Sequence, residues 1–196
     1  MAVTPNKIIE VLDDRNLSAG KVNTIIDAAM ADSDISYYYP KAKILTFPEL
    51  KNVSNIEELL PKDNTYFFLL FLSAPSSGHW VVLSRHNGKI EFFCSYGSNP
   101  EDILGWTKSI NQSLGQGVDY LSQLFNKTKL RVVYNPICYQ SKKQNVSDCG
   151  RYCCFRIYTI LKYNMDLNKF HNMMVDLKKK TGKSYDQLVS EFVPKM

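Results

Sequence analysis

One cysteine of the chain stands where a thiol nucleophile could be activated. Cys149 follows the polar residues 141–147 and begins an apolar pattern with helical spacing. A helix N-terminus stabilises a thiolate and presents backbone N–H groups that can bind an oxyanion. The glycine that follows, Gly150, would leave room for a substrate carbonyl. The position therefore indicates a candidate nucleophile, and such a thiol needs a base within hydrogen-bond reach.

Three histidines are candidates for that base. We expect His86 to lie exposed in a hairpin turn and His171 to pack, partly buried, in a late helix. His79 differs because it follows a Pro-Ser-Ser-Gly turn, enters a strand and precedes Trp80. A fixed backbone at a strand edge and an aromatic wall that limits solvent suit a catalytic histidine. His79 is the predicted base, and the alternative is a histidine that merely begins a strand.

The elements that would position these residues follow from the spacing of apolar residues. The first third favours helices over 8–12 and 18–29, followed by an irregular stretch over 40–61 with one or two helical turns near 55–60. The middle favours strands over 66–72, 80–84, 90–94 and 130–134, with Asn-Gly at 87–88 as a hairpin turn and a helix near 120–125. The end is helical again over 150–161, 166–180 and 184–192. This order indicates an α+β fold.

The length of 196 residues and the hydrophobic share of 44% suit one domain with a core. We expect an N-terminal helical region over 1–62, a catalytic core over 63–165 and C-terminal helices over 166–196. No apolar run approaches the roughly 20 residues of a membrane span, and we expect neither a membrane segment nor a secretory signal.

The five cysteines are Cys94, Cys138, Cys149, Cys153 and Cys154. Their odd number and clustering favour free thiols in a reducing compartment over a disulfide framework. Neither a CxxC pair nor a histidine pair has zinc-like spacing, so we expect no metal. The last two cysteines are interpreted as small hydrophobic residues of a buried helix.

The formal net charge of +5 is only mildly basic. The densest positive run is 178–180, closely followed by Lys183. A solvated helix end, where cations are favoured by the dipole, explains this run, and contact with a phosphate backbone is the alternative.

Three segments, in a fixed order, carry a resemblance to known enzymes. They are Gly-His-Trp at 78–80, Phe-Phe-Cys-Ser-Tyr-Gly at 92–97, and Gln140 followed by Asp-Cys-Gly at 148–150. This order resembles the adenovirus-endopeptidase and ubiquitin-like-protease clan of cysteine peptidases. The similarity covers residues 64–165 and is nearest to maturation proteases of virophages and large DNA viruses. It implies a papain-like (adenain-type) single domain, with a small mixed sheet packed between helices and the nucleophile at a helix N-terminus.

The resemblance also implies roles for individual residues. His79 would be the general base and Cys149 the nucleophile, with Trp80 and Gly150 at the substrate. The Gln140 side chain would donate to the oxyanion beside the backbone N–H of the nucleophile. Gln140 is preferred because it ends a strand-like segment, and Gln144, in the loop, is the alternative.

The position where the clan usually has an aspartate holds Cys94. A neutral thiol does not stabilise an imidazolium as a carboxylate does. Three arrangements are open: a Cys–His dyad, an imidazole held by Ser95, Asn99 or a backbone carbonyl, and a weak hydrogen bond from the imidazole to Cys94 itself. We favour a dyad helped by an uncharged neighbour, with a modest rate.

The function that the resemblance implies is a cysteine endopeptidase that matures viral capsid or other structural precursors, near small residues such as Gly-Gly or Gly-Ala. The alternatives are a deconjugase of ubiquitin-like proteins and a catalytically impaired binding module of the same fold. Protein substrates, a monomeric state, and an intracellular, reducing location in host cytoplasm, virus factory or virion are expected. Non-specific DNA or a short peptide is a candidate activator.

Overall fold

A five-stranded mixed sheet forms the centre of the fold, and its strands lie side by side in chain order. The structure, a computed structural model, describes residues 19–143 and 146–193. The outer pairs, β1–β2 and β4–β5, are parallel, whereas β2–β3 and β3–β4 are antiparallel. The strands are β1 (Lys43–Thr46), β2 (Thr65–Ala74), β3 (Ser77–His86), β4 (Lys89–Phe93) and β5 (Arg131–Tyr134).

Helices come before, between and after these strands. Before β2 lie α1 (Ala19–Asp27), α2 (Asp32–Tyr38) and two 3₁₀ helices, Phe47–Asn52 and Ile56–Glu58. Between β4 and β5 lie α3 (Pro100–Trp106) and α4 (Tyr120–Lys127). After β5 lie α5 (Cys149–Tyr163), α6 (Leu167–Thr181) and α7 (Tyr185–Phe192). The helix expected over 8–12 lies outside the described residues.

Both faces of the sheet are covered, which explains why β2 shows no alternation of polar and apolar residues. Phe67 and Leu69 pack with the 3₁₀ helices, α3 and α4 on one face. Phe68 and Leu70 pack with α5, α6 and α7 on the other. The expected α+β class, with a small mixed sheet between helices, is confirmed.

The turn between β3 and β4 has the predicted hairpin chemistry. Asn87 and Gly88 both have positive φ, at 50° and 68°. Two consecutive positive φ angles are the requirement of a type I′ turn, which Asn-Gly meets at low cost. The two strands then pair from His86 opposite Lys89. The turn therefore fixes the register that aligns β3 with β4.

Four elements were not predicted. The stretch expected to be irregular contains β1 and the 3₁₀ helix Phe47–Asn52, α2 lies just before it, and α3 follows β4. A signal for α3 was present, because Asn99 accepts from the backbone N–H of Asp102 and Pro100 begins the helix. By contrast, β1 has four residues and one strand neighbour, too little for a periodic pattern.

No helix within the described ranges is long and apolar enough to cross a membrane.

A buried ion pair joins α5 to the sheet. Arg156 on α5 donates from Nε and Nη2 to the two carboxylate oxygens of Glu91 on β4, at 2.6 and 2.7 Å. Arg156 is fully buried, and its Nη2 also donates to the carbonyl of Met165 at 2.9 Å. Such a pair is costly to break from one side because the remaining charge has no solvent to replace its partner.

We therefore expect Glu91→Ala to lower the free energy of unfolding by about 3–5 kcal/mol, measured by urea denaturation. Replacing both partners, as in Glu91→Leu with Arg156→Leu, should recover most of that loss, because no buried charge remains. The exposed Asp176→Ala serves as the control and should stay within about 0.5 kcal/mol of the native protein. A Glu91→Ala effect below about 1 kcal/mol would contradict the structural role of the pair.

Candidate active site

His79 lies on β3, where its ring is held between aromatic side chains. Gly78 precedes it, and a Cβ there would lie 1.9 Å from the carbonyl oxygen of Phe71, so only glycine fits this approach of β2 to β3. The His79 ring stacks on Tyr96, with centroids 5.0 Å apart, and meets Trp106 edge-on at 5.4 Å. The imidazole therefore sits in a partly buried aromatic setting with a fixed backbone.

Cys149 is the first residue of α5 and meets β3 at the residue after His79. Its Sγ accepts a hydrogen bond from the backbone N–H of Trp80 at 3.4 Å. Cys153, one turn later, donates its thiol to the carbonyl of Trp80 at 3.5 Å. The candidate nucleophile and base thus enter one cleft from adjoining elements, and both line a cavity of about 950 Å³.

Cys94 contacts the imidazole at Nε2. Its Sγ lies 3.3 Å from Nε2 of His79, and its side chain is fully buried at the end of β4. Neither polar alternative reaches the ring: Ser95 donates to Gln140, and Asn99 caps α3. Of the three arrangements open from the sequence, the geometry matches the one in which Cys94 itself contacts the imidazole.

This contact bears on which nitrogen of His79 carries the proton. If Nε2–H donates to the sulfur of Cys94, Nδ1 keeps its lone pair and can accept the proton of Cys149. The opposite tautomer would carry its proton on Nδ1 and leave its lone pair on Nε2, which faces Cys94. A sulfur acceptor can select the productive tautomer, but it supplies no negative charge to an imidazolium.

Gln140 is buried, and its side-chain amide has a partner at each end. Oε1 accepts from the hydroxyl of Ser95 at 2.6 Å, and Nε2 donates to the carbonyl of Val146 at 3.3 Å. Gln140 lines the same cavity as His79 and Cys149. The alternative from the sequence, Gln144, lies outside the described residues.

Burial dominates the electrostatics of the pair. It lowers the pKa of His79 to about 3. It also raises the pKa of Cys149 to about 11; the adjacent Asp148 carboxyl acts in the same direction and the N–H of Trp80 in the opposite one. The helix N-terminus was expected to favour the thiolate, but its effect on the pKa of Cys149 is smaller than that of desolvation. At neutral pH the resting pair is therefore a thiol and a neutral imidazole.

Asp148 is fully buried in front of the nucleophile. Burial, followed by the neighbouring Asp186, raises the pKa of its carboxyl well above the usual range, and Arg151 acts in the opposite direction. The carboxylate of Asp186 accepts from the backbone N–H of Ser141 at 3.2 Å and from the hydroxyl of Tyr152 at 2.8 Å. Asp186, on α7, thus holds both the loop after Gln140 and the first turn of α5.

The end of α1 and the segment after it brace the site, which sequence reasoning missed. Three main-chain carbonyls over residues 26–30 accept hydrogen bonds around the nucleophile: Ile26 from Ser147 N at 3.0 Å, Ala28 from Arg151 Nη1 at 2.6 Å, and Met30 from Trp80 Nε1 at 2.9 Å. The sequence holds no local signal for these bonds because the groups involved are main-chain carbonyls far away in the chain.

Gly150 is buried against the same segment. A Cβ at this position would lie 3.0 Å from Cβ of Met30 and 3.4 Å from Cδ1 of Trp80. The absence of a side chain therefore serves the packing of α5 against its neighbours. Trp80, the other residue expected at the substrate, lines the cavity while its indole is mostly buried.

The two other histidines lie away from the cleft. The expectation that His86 is exposed is wrong: only 5% of it is accessible, and its Nε2 lies 3.1 Å from the carbonyl oxygen of Met165. The hairpin tip packs on the loop between α5 and α6, which a local turn signal does not reveal. His171 is partly buried as expected, with Nδ1 3.2 Å from the hydroxyl of Tyr139.

The remaining cysteines and the lysines of the 178–180 run lie outside the candidate active site. Cys153 and Cys154 are buried on α5, as expected, and Cys138 is exposed. Within the described ranges, no group of three or more His, Cys, Asp or Glu residues is arranged to hold a metal. The 178–180 run forms the last turn of α6, and Lys183 pairs with Glu191 at 2.7 Å.

Comparisons with known proteins find a sequence relative and a partial structural likeness. No family model matches the chain. A Sputnik virophage protein, described as uncharacterized protein V9, is 30% identical over 145 residues, which span 69% of this chain and 82% of that protein. The crystal structure of the ASFV pS273R protease matches with a TM-score of 0.46 and 15% identity, over 86% of this chain and 68% of that chain.

The neutral resting pair predicts how Cys149 reacts with iodoacetamide. Because the thiol titrates near pH 11, the second-order rate should rise about tenfold per pH unit between pH 6 and 9, without an acid plateau. Peptide mapping by mass spectrometry would assign the label, with the exposed Cys138 as a reference in the same molecule. In Cys94→Asp, a carboxylate beside Nε2 favours the imidazolium of His79 and should move reactivity to lower pH.

A native rate that is already constant between pH 5 and 8 would show a resting thiolate–imidazolium pair and contradict this electrostatic account. Cys94→Ala is the matched control, since it removes the sulfur without adding charge and should produce no shift toward acid.

Proposed function

The chain belongs to the same family as protein V9 of the Sputnik virophage. On the basis of its own site residues, we propose that it is a viral cysteine endopeptidase. The observation that carries the proposal is the meeting of Cys149 and His79 in one cleft, with a thiol at a helix N-terminus and an imidazole on the adjoining strand. Gln140, on the same cleft, supports it, because an acyl-transfer site needs an oxyanion donor beside the nucleophile.

In the proposed first step, Sγ of Cys149 attacks the carbonyl carbon of the scissile bond while Nδ1 of His79 takes the thiol proton. The oxyanion is bound by the side-chain N–H of Gln140 and the backbone N–H of the nucleophile. The C–N bond then breaks, the imidazolium protonates the leaving amine, and the acyl group remains as a thioester. Water, deprotonated by the imidazole, hydrolyses the thioester and restores the thiol.

The absence of a carboxylate beside His79 limits the rate in this mechanism. The proton transfer to the partly buried imidazole creates a cation whose Nε2 lies beside the uncharged Cys94. Thiols need less activation than hydroxyls, so a Cys–His pair can still turn over. We therefore propose a modest rate, suited to a limited number of cleavages.

The proposed substrates are capsid or other structural precursors, cleaved near small residues of the Gly-Gly or Gly-Ala type during virion maturation. This rests on the resemblance of the segments around His79, Cys94 and Cys149 to viral maturation proteases. A reducing intracellular location, and activation by non-specific DNA or a peptide, belong to the same proposal. Deconjugation of ubiquitin-like proteins is the alternative for the same chemistry.

A second candidate is a binding module that has lost activity. Two observations favour it: Cys94 stands where the clan has an acid, and burial keeps Cys149 as a thiol. The retained pairing of base, nucleophile and amide donor favours the enzyme.

The decisive experiment incubates virion structural proteins and ubiquitin-like precursors with the native protein and with Cys149→Ala, and maps new N-termini by mass spectrometry. We expect cleavage of capsid proteins at small residues, absent in Cys149→Ala and reduced by 10²–10⁴-fold in His79→Ala because the base is lost. The conservative His171→Gln is the matched control and should cleave like the native protein.

New termini that appear equally with Cys149→Ala, or none with any substrate, would contradict an enzyme and favour the binding module. Cleavage confined to ubiquitin-like precursors would establish the deconjugase instead. Repeating the reaction across salt with and without DNA tests activation, and a rate indifferent to both excludes it.

A further inference from the structure

Two consecutive residues at the end of β4 contact the two different parts of the candidate site. Cys94 places its Sγ 3.3 Å from Nε2 of His79. Ser95 donates its hydroxyl to Oε1 of Gln140 at 2.6 Å. Both side chains are fully buried, so water does not compete for these contacts. One dipeptide thus contacts both the proposed base and the proposed oxyanion donor.

The main chain of Ser95 reinforces its hold on the same residue. Its carbonyl accepts from the backbone N–H groups of Tyr139 and Gln140, at 2.8 and 3.1 Å. The end of β4 is itself anchored, because Asn135 donates from Nδ2 to the carbonyl of Cys94 at 2.6 Å. The backbone and the side-chain amide of Gln140 are therefore both hydrogen-bonded to Ser95, at the anchored end of β4.

The partners of the Gln140 amide allow only one orientation of good energy. With Oε1 on the hydroxyl of Ser95, Nε2 donates one hydrogen to the carbonyl of Val146 and keeps its second hydrogen free. A flipped amide would set its oxygen against that carbonyl, two acceptors in contact. The carbonyl of Val146 therefore selects the orientation in which a second N–H remains available for an oxyanion, and the hydroxyl of Ser95 holds the amide there through Oε1.

We propose that Ser95 is a positioning residue that fixes the side-chain amide of Gln140 for oxyanion binding. The proposal rests on the proposed function, since it needs the cysteine peptidase reaction to have an effect. Ser95 touches neither substrate nor the reacting atoms. Ser95 acts through Gln140. When its hydroxyl is removed, Oε1 of Gln140 loses a short hydrogen bond between two neutral groups.

Alkylation and hydrolysis separate this role from a general structural one. Reaction of Cys149 with iodoacetamide forms no oxyanion and needs only the thiol and its base. Hydrolysis of a fluorogenic Gly-Gly-aminocoumarin amide passes through an oxyanion. A positioning defect at Gln140 should therefore slow hydrolysis and leave alkylation unchanged, whereas a distorted site would slow both.

In Ser95→Ala we expect kcat for the fluorogenic peptide to fall by about 10–100-fold, with KM nearly unchanged and alkylation of Cys149 within twofold of the native rate. Ser95→Thr, which keeps the hydroxyl, should recover part of kcat. In a Gln140→Ala background, Ser95→Ala should cost little more, because both changes remove one interaction.

Hydrolysis by Ser95→Ala within twofold of the native rate, or independent and multiplying effects of the two substitutions, would overturn the proposal. Parallel losses in alkylation and hydrolysis would also overturn it, by showing a structural role. If the native protein cleaves no substrate faster than Cys149→Ala does, the result overturns the proposed function itself and not only the role of Ser95.

Discussion

The docking of α5 on β3 is the interaction on which the candidate site depends. β4 pairs with β3 only as far as Val82, which leaves the main chain of Trp80 accessible to the helix. Cys149 and Cys153, one turn apart, contact its N–H and carbonyl. Because the residue before Trp80 is His79, this contact brings the thiol to the strand that carries the imidazole.

Several distant parts of the chain hold that docking in place. The ion pair of Arg156 with Glu91 fastens the helix to β4 further along its length. The segment after α1 fastens its beginning, through the carbonyl of Ala28 to Arg151 and that of Met30 to Trp80. Burial of so much polar main chain is tolerated because these groups are paired. Burial also keeps the thiol and the imidazole neutral, so the proposed chemistry depends on proton transfer during the reaction.

The sequence predicted the parts of the fold whose signals are local. Strands β2 to β5, the Asn87-Gly88 turn and the helix from Cys149 carry apolar runs, helical spacing or turn chemistry, and the structure has them. The strand β1 and the bracing carbonyls of residues 26–30 have no such signal, because their partners are main-chain groups of distant segments. The role of Ser95 was also hidden: its type allowed it to hold His79, and only the geometry places it on Gln140.

The central claim, that Cys149 is a nucleophile activated by His79, is tested most directly by trapping the covalent intermediate. A reaction with a cleavable peptide is quenched in acid during turnover, and the protein is measured by intact mass and peptide mapping. The account predicts an acyl group on Cys149, released by hydroxylamine as a thioester is and absent in His79→Ala. An acyl group on another residue, or an adduct that forms equally without His79, would contradict it.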